Sequence, residues 1–240
     1  MNKVDKKVIV LKYGSATVQD SAMELYANEI AKLRKQATVV VVSSGSVKLG
    51  KELVGSEHSK RVLAAIGSGR LVYLWNSHLK NYGMTAAQIL VTHADLKENS
   101  QYLQDSLRDV IASGAVPIIN ENDVLSDIEL MKLETGGDND GLAARIAVQL
   151  QADSLLLLSN DVEGYLSEGV VQKCVDLDGI DSNNHFHSNA HGTGGVESKL
   201  AAAKMAVIGG VGCVHFGNAK QSYVDILDKK LGSCFCGTCI

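Results

Sequence analysis

Short apolar runs alternate with amphipathic helical segments along nearly the whole chain, and this alternation is the feature that most restricts its fold. Two runs, VIVL (8–11) and VVVV (39–42), are apolar at every position, as in strands that are covered on both faces. Between them, Met23, Tyr26 and Ile30 recur at helical spacing. The later runs are AAQILVT (86–92), AVPIIN (115–120), SLLLLS (154–159), GCVHFG (212–217) and CFCGTCI (234–240). The pattern predicts an α/β fold in which about eight strands form a mainly parallel sheet inside a three-layer αβα sandwich.

Length and charge exclude several classes of protein. The chain of 240 residues carries 23 basic and 27 acidic side chains, a net charge of −4, which gives no basic surface for nucleic acid or for an anionic membrane. The first apolar run has four residues, too few for a secretory signal or a membrane span. We therefore expect a single domain over residues 1–240 and a cytoplasmic location, with neither nucleic acid nor membrane as a partner.

The polar residues that follow the predicted strands are the candidates for a binding site, because ligands of open α/β sheets bind at the carboxyl ends of the strands. Lys12 ends a strand that is buried on both faces, where an ammonium group needs water or an anionic partner. A lysine that only extends to solvent is the alternative. The turns SSGS (43–46) and GTGG (192–195) precede helices and could present backbone N–H groups to a phosphate or carboxylate, or could be simple capped turns.

Acidic and amide side chains accumulate in two stretches, INEND (119–123) and GGDND (136–140). A single residue of Asp138, Asn139 and Asp140 suffices to cap the helix that follows. The remaining acceptors suit a ligand with an ammonium group, or a metal ion. The chain has no P-loop pattern, and no dinucleotide-binding pattern follows its first strand.

Seven stretches of the chain occur together in a fixed order and cover most of residues 7–218. They are VIVLKYGS, VVVVSSGSVKLG, AAIGSGRL, VPIINENDV, GGDNDGLAARIA, ADSLLLLS and HGTGGVESKLAAAKMA. The most specific signal is INEND, GDND and GTGG followed by a lysine, in this order. On these residues the chain resembles the amino acid kinase family, and within it the members that phosphorylate the γ-carboxylate of L-glutamate with MgATP, the first step of proline biosynthesis.

The resemblance implies a role for each matching residue. The implied catalytic residues are Lys12 and Lys199, which would contact the ATP phosphates, and Asp140, which would hold both lysines in place. Substrate binding is implied for Ser44, Gly45, Asn120, Asp123, Asp138 and Asn139. Nucleotide binding is implied for Lys12, Gly14, Ser159, Asn160, Thr193, Gly194, Gly195 and Lys199. The implied cofactors are ATP and Mg²⁺, the substrate is L-glutamate, proline is a candidate feedback inhibitor, and the expected assembly is a homodimer or homotetramer.

The chain departs from the family pattern after its LLLL strand. The family usually continues with D-x-x-G-L-Y and an Asp-Pro, whereas this chain has NDVEGYLSEG (160–169), in which Asn160 looks inserted and no proline follows. This region would shape the adenine side of the site. We expect no appended PUA domain, the RNA-binding-like module that some relatives carry.

Cysteines are concentrated near the C-terminus. A metal site could use Cys234, Cys236 and Cys239, with Cys213 as a further ligand. Because side chains along one strand alternate between faces, we expect these cysteines to point apart and to bind no metal. The histidines of HFHSNAH (185–191) are likewise expected to be solvated rather than to form a metal site.

Two other functions stay open at this point. One is a kinase of the same fold that acts on a different carboxylate, and the other is a non-catalytic nucleotide-binding regulator. The presence of the implied glutamate-binding residues argues against a kinase for another carboxylate. The presence of both lysines and Asp140 argues against a non-catalytic regulator.

Overall fold

One seven-stranded sheet forms the centre of this computed structural model, which describes residues 6–97, 100–125, 139–160, 162–167, 169–176 and 196–236. In chain order the strands are β1 (Lys7–Tyr13), β2 (Ala37–Ser43), β3 (Ala86–Val91), β4 (Val116–Glu121), β5 (Ser154–Ser159), β6 (Leu166–Ser167), β7 (Val170–Val171), β8 (Cys213–Asn218) and β9 (Ser233–Phe235). The order across the sheet is β3-β4-β2-β1-β5-β8-β9. Every neighbouring pair is parallel except β8 and β9, and β6 pairs with β7 as a separate antiparallel hairpin.

Helices cover both faces of the sheet. In chain order the α-helices of the described residues are α1 (Asp20–Arg34), α2 (Ser46–Val54), α3 (Lys60–Leu79), α4 (His93–Lys97), α5 (Ser100–Ala112), α6 (Asn139–Gln149), α7 (Val196–Ile208) and α8 (Tyr223–Leu227). None of these helices is both long enough and apolar enough to span a lipid bilayer.

Two apolar core layers lie on opposite faces of the sheet. Consecutive strand residues alternate between them, so Leu11 packs in the layer that contains Trp75 of α3, and Val10 packs in the layer that contains Leu107 of α5 and Ile146 of α6. This arrangement confirms the predicted three-layer α/β sandwich with a mainly parallel sheet. The sheet itself has seven strands in the described part of the chain, and the hairpin β6–β7 stands apart from it.

The strand order creates a switch point beside β1. From β1 the chain continues to β2 on one side, and it later returns to place β5 on the other side. Ligands of open α/β sheets bind at the carboxyl ends of strands where the order reverses in this way. The predicted site residues at the ends of β1, β2, β4 and β5 are therefore expected to lie at one edge of the sheet.

Helices α2 and α3 approach each other at backbone distance through two glycines. A Cβ atom added to Gly67 would lie 1.8 Å from the carbonyl oxygen of Ser46, and one added to Gly50 would lie 2.0 Å from the carbonyl oxygen of Leu63. Only glycine permits so close an approach. The contact fixes the first turns of both helices next to the loop that follows β4.

Candidate active site

Asp140 lies in the first turn of α6 and joins two lysines that come from different elements. Lys12, near the end of β1, forms an ion pair with Oδ1 of Asp140. Lys199, in the first turn of α7, donates to Oδ2 at 3.0 Å, and the Ser198 hydroxyl donates to the same oxygen at 3.1 Å. The side chains of Lys12 and Asp140 are 3% and 0% exposed. We call Lys12, Asp140 and Lys199 the lysine triad.

The charges of the triad stabilise one another. Burial by itself raises the pKa of the Asp140 carboxyl, but the charge of Lys12, then that of Lys199, and the hydrogen bonds from both outweigh burial and hold this pKa well below its usual range. Asp140 is therefore an anion at neutral pH. Two ammonium groups and one carboxylate leave a net charge of +1, which suits the binding of an anion.

The turn after β1 runs beside the Lys12 ammonium. A Cβ atom added to Gly14 would lie 3.8 Å from Nζ of Lys12, so the glycine keeps this space free of a side chain. In the parallel register, Lys12 and Tyr13 lie opposite Leu157 and Leu158. Ser159, at the end of β5, therefore lies level with the Gly14 turn.

Asn160 uses its side chain within the protein. Its Oδ1 accepts a hydrogen bond from the Tyr26 hydroxyl at 3.1 Å, and its Nδ2 donates to the carbonyl of Ala16 at 2.9 Å. Asn218, at the end of β8, donates to the Asn160 carbonyl at 3.0 Å. These bonds hold the loop after β1 against the ends of β5 and β8, so a direct contact of Asn160 with nucleotide stays a prediction.

A network of amide, hydroxyl and carboxylate groups starts at Asn139, the residue before Asp140. Asn139 Nδ2 donates to Ser44 Oγ at 2.7 Å and to Asn120 Oδ1 at 2.8 Å. Asn120 Nδ2 donates to Ser46 Oγ at 3.2 Å, and the Ser46 hydroxyl donates to Asp123 Oδ2 at 3.3 Å. We call these five residues the amide network. It brings together four residues for which substrate binding was predicted, namely Ser44, Asn120, Asp123 and Asn139.

Ser46 and Lys60 belong to this site although sequence reasoning did not assign them a role in it. Lys60 Nζ lies 2.8 Å from Oδ1 of Asp123, and the two side chains are 47% and 11% exposed. Ser46 lies within the SSGS turn, which did mark the region. No sequence signal marked Lys60, because only the glycine contact between α2 and α3 brings it to the loop after β4.

Gly45 positions the start of α2 rather than adding a side chain. It has a φ of +120° at the helix N-cap, a conformation that side-chain-bearing residues rarely adopt. The glycine lets the chain turn sharply from β2 into α2, with Ser44 and Ser46 on either side of the bend. The predicted site residues Asp138, Thr193, Gly194 and Gly195 lie outside the described residues, as do Cys239 and the histidine stretch 185–191.

The expectation that the C-terminal cysteines point apart is wrong for Cys234 and Cys236. Their sulfur atoms lie 3.4 Å apart, and Cys213 Sγ lies 2.7 Å from Cys234 Sγ. Side chains that are two residues apart on a strand share a face, and the neighbouring strand β8 supplies the third sulfur.

Comparison with known proteins shows which sequences this chain is similar to. The sequence profile described as the amino acid kinase family matches residues 7–218. Glutamate 5-kinase from Escherichia coli O1:K1 is 30% identical over 249 residues, which cover 93% of this chain and 67% of that protein. Glutamate 5-kinase from Shigella boydii serotype 18 matches with the same identity and coverage.

Solved structures share the fold at lower identity. Carbamate kinase from Giardia lamblia bound to AMP-PNP superposes with a TM-score of 0.68 at 16% identity, over 97% of this chain and 99% of that one. UMP kinase from Ureaplasma parvum superposes with a TM-score of 0.60 at 16% identity, over 96% of this chain and 99% of that one. Since the family profile spans most of the sequence and includes both the lysine triad and the amide network, the chain belongs to the amino acid kinase family.

Proposed function

We propose that this protein transfers the γ-phosphoryl group of ATP to the γ-carboxylate of L-glutamate. The observation that carries the proposal is the position of two consecutive residues at the start of α6. Asn139 enters the amide network, and Asp140 enters the lysine triad. The amide network, which we assign to the amino acid, and the lysine triad, which we assign to phosphate, are therefore joined at consecutive residues. Phosphoryl transfer to a bound carboxylate requires the two sites to be adjacent in this way.

The lysine triad suits the phosphate side of this reaction. Lys12 and Lys199 approach Asp140 from different elements and present a net positive charge at the carboxyl end of β1. Phosphoryl transfer depends mainly on positioning and on neutralising the charge of the transferred group. Because both oxygens of Asp140 already bind ammonium groups, we assign this carboxylate to orienting the lysines. Mg²⁺ would be held by the ATP phosphates and would add to the charge neutralisation when bound.

The amide network suits the amino acid side. Asp123 already binds the Lys60 ammonium at 2.8 Å, so this carboxylate accepts an ammonium group at the site, and we assign it to the α-ammonium of glutamate. Ser44, Asn120 and Asn139 supply hydroxyl and amide groups that can bind the α-carboxylate. With these anchors, the γ-carboxylate would extend toward the lysine triad.

The chemistry needs no general base. A γ-carboxylate with a pKa of about 4.3 is ionised at neutral pH and is itself the nucleophile. The requirement is to hold its oxygen roughly 3–3.5 Å from the γ-phosphorus in line with the leaving group. The cytoplasmic location, the homo-oligomeric assembly, the assignment of residues 1–240 to one domain and inhibition by proline belong to the same proposal.

The test is acceptor-dependent ADP release by the purified protein with MgATP. L-glutamate, L-aspartate and N-acetyl-L-glutamate are compared with no acceptor, and hydroxylamine is added to trap an acyl phosphate as a hydroxamate. Hydroxamate and ADP in equal amounts with L-glutamate alone would support the proposal. Turnover with another acceptor would instead indicate a kinase for a different carboxylate, and ATP binding with no turnover would indicate a regulator.

A further inference from the structure

Four side chains with soft donor atoms lie on one face of the β8–β9 edge of the sheet. Cys213 and His215 are two residues apart on β8, and Cys234 and Cys236 are two residues apart on and just after β9. Side chains at this spacing share a face. The antiparallel register places His215 opposite Cys234, so Cys213 falls opposite Cys236, and the four positions form a compact square.

The sulfur atoms are close enough to share one ion. All three lie within 4.8 Å of one another, with 2.7 Å from Cys213 to Cys234 and 3.4 Å from Cys234 to Cys236. Tetrahedral Zn²⁺ with bonds of about 2.3 Å to sulfur places its thiolates roughly 3.8 Å apart. Reaching that arrangement requires only small side-chain movements on adjacent strands.

His215 supplies an independent observation that points to a ligand. Its side chain is 1% exposed, and its ring contacts the thiol of Cys213, which is only a weak hydrogen-bonding partner. Neither ring nitrogen forms a hydrogen bond of normal geometry within the described part of the chain. A buried polar group without a good partner is unfavourable, and a bond from one ring nitrogen to a metal ion would remove that penalty.

Lys229 balances the charge that such a site would carry. Three thiolates and one divalent cation give a net charge of −1, and the Lys229 ammonium donates to Cys236 Sγ at 3.6 Å. With His215 as the fourth ligand, the set would be three sulfurs and one imidazole, which is typical of structural rather than catalytic zinc sites.

We propose that Cys213, His215, Cys234 and Cys236 form a structural site for one soft divalent cation of the Zn²⁺ class. Binding converts three thiols to thiolates and releases their three protons to solvent, with no change in oxidation state. The ion would cross-link the three-residue strand β9 to β8 and so stabilise its pairing with the edge of the sheet. Cys213 begins β8, whereas the lysine triad lies at the carboxyl ends of the strands, so this site is separate from the proposed chemistry.

The first experiment measures metal content of the untagged full-length protein. The protein is reduced, stripped with a chelator and reconstituted with Zn²⁺, or with Co²⁺ as a spectroscopic probe. We expect one equivalent of metal per chain, thiolate-to-cobalt charge-transfer absorption together with the intense d–d bands of tetrahedral Co²⁺, and a higher unfolding temperature than in the stripped protein.

Variants then locate the site. Cys213→Ser, Cys234→Ser and Cys236→Ser should each lose the equivalent of metal or weaken binding at least tenfold, and His215→Gln should shift the Co²⁺ spectrum. His58→Gln, which removes an exposed histidine of the loop before α3, is the matched control and should bind as the unaltered protein does. Circular dichroism confirms that each variant is folded.

Three outcomes would overturn the proposal. One is stripped and reduced wild-type protein that binds less than a tenth of an equivalent of Zn²⁺. Another is metal binding that persists unchanged in all three folded cysteine variants, which would place the metal elsewhere. The third is a Cys213–Cys234 disulfide, found by non-reducing mass spectrometry, that forms equally well with Zn²⁺ in excess.

Discussion

Asp140 sits between two ammonium groups that no other described carboxylate reaches, so its charge matters to both folding and turnover. In Asp140→Asn the two lysines lose their shared anion. Like charges about 4 Å apart repel by roughly 4 kcal/mol at an effective dielectric constant of 20, and we expect the lysines to move apart. The predicted result is a fall in kcat of about 100-fold or more, together with a loss of roughly 3 kcal/mol in unfolding free energy.

The measurement combines steady-state kinetics with urea unfolding at a temperature where circular dichroism shows the variant to be folded. Asp105→Asn is the control, because the described contacts of Asp105 are exposed and lie within α5, namely an ion pair with Arg108 and a hydrogen bond from Gln101. It should leave both quantities unchanged. Full turnover by folded Asp140→Asn would rule out the orienting role of this carboxylate.

The pKa of Asp140 also predicts how the contribution of this residue to the free energy of unfolding depends on pH. Because the folded-state pKa lies below the unfolded value of about 3.9, the stabilisation is fully present above pH 3.9 and is lost as pH falls through the folded-state pKa. The stability difference between wild-type protein and Asp140→Asn should therefore be constant from pH 7 to about pH 5. A difference that shrinks across this range in urea titrations would show that Asp140 takes up a proton there.

Asn139 should affect the acceptor rather than ATP. Its amide donates to Ser44 and Asn120, so Asn139→Ala removes the centre of the amide network. One lost hydrogen bond of about 1–1.5 kcal/mol corresponds to a change of roughly tenfold in affinity. We expect KM for L-glutamate to rise about tenfold and KM for ATP to change less than twofold. Asn81→Ala, at an exposed position, is the control, and an equal rise in both KM values would contradict the assignment.

At the scale of helices, the α2–α3 contact determines where the amide network can form. Ser46 and Lys60 begin these two helices, and Gly67 permits the backbone approach. In Gly67→Ala the new methyl group would meet the Ser46 carbonyl at 1.8 Å. The helices must then separate, and overpacking of this kind lowers unfolding free energy by about 1–3 kcal/mol. KM for L-glutamate should rise as well.

Gly69 offers a control in the same helix. Nothing lies within 4 Å of a Cβ atom added there, and replacing glycine by alanine inside a helix stabilises it by about 0.8–1 kcal/mol. Gly69→Ala should therefore raise the urea midpoint, whereas Gly67→Ala should lower it. Equal effects of the two substitutions would show that the close approach is unimportant.

The elements differ in how well the sequence predicts them. Strands β1, β2 and β5 are evident because they are buried on both faces, and Lys12 is noticeable because it interrupts such a strand. The contribution of Lys60 depends on how two helices cross, which periodicity does not encode. The prediction for the cysteine pair is wrong for a different reason. Cys234 and Cys236 have the same parity along the strand, so the alternation rule places them on one face.

At the scale of the whole molecule, one sheet is shared by two core layers. Leu156 and Leu157 are consecutive residues of β5, 0% and 1% exposed, yet they pack in opposite layers. The backbone pairing of β5 with β1 and β8 holds both side chains in place, so one set of hydrogen bonds supports both layers. Because neither layer can lose its strands without exposing the other, the two layers should unfold together.

The single tryptophan makes this coupling measurable. Trp75 is fully buried in the layer of Leu156. Its ring centroid lies 5.0 Å from that of Tyr13, and its Nε1 donates to Ser43 Oγ at 2.9 Å. Both Leu156→Ala and Leu157→Ala should reduce unfolding free energy by about 2–5 kcal/mol. The informative case is Leu157→Ala, which makes its cavity on the face away from Trp75.

If the sheet unites the layers, both probes should report the same change for Leu157→Ala. The urea midpoint followed by Trp75 fluorescence should shift from the wild-type value as far as the midpoint followed by far-ultraviolet circular dichroism. The m-value should stay unchanged. Coincidence of the two probes is the sign of an all-or-none transition. A fluorescence midpoint that stays at the wild-type value while the circular dichroism transition moves or splits would show that the layers unfold separately. In that case damage on the α5–α6 face would leave the Trp75 layer intact.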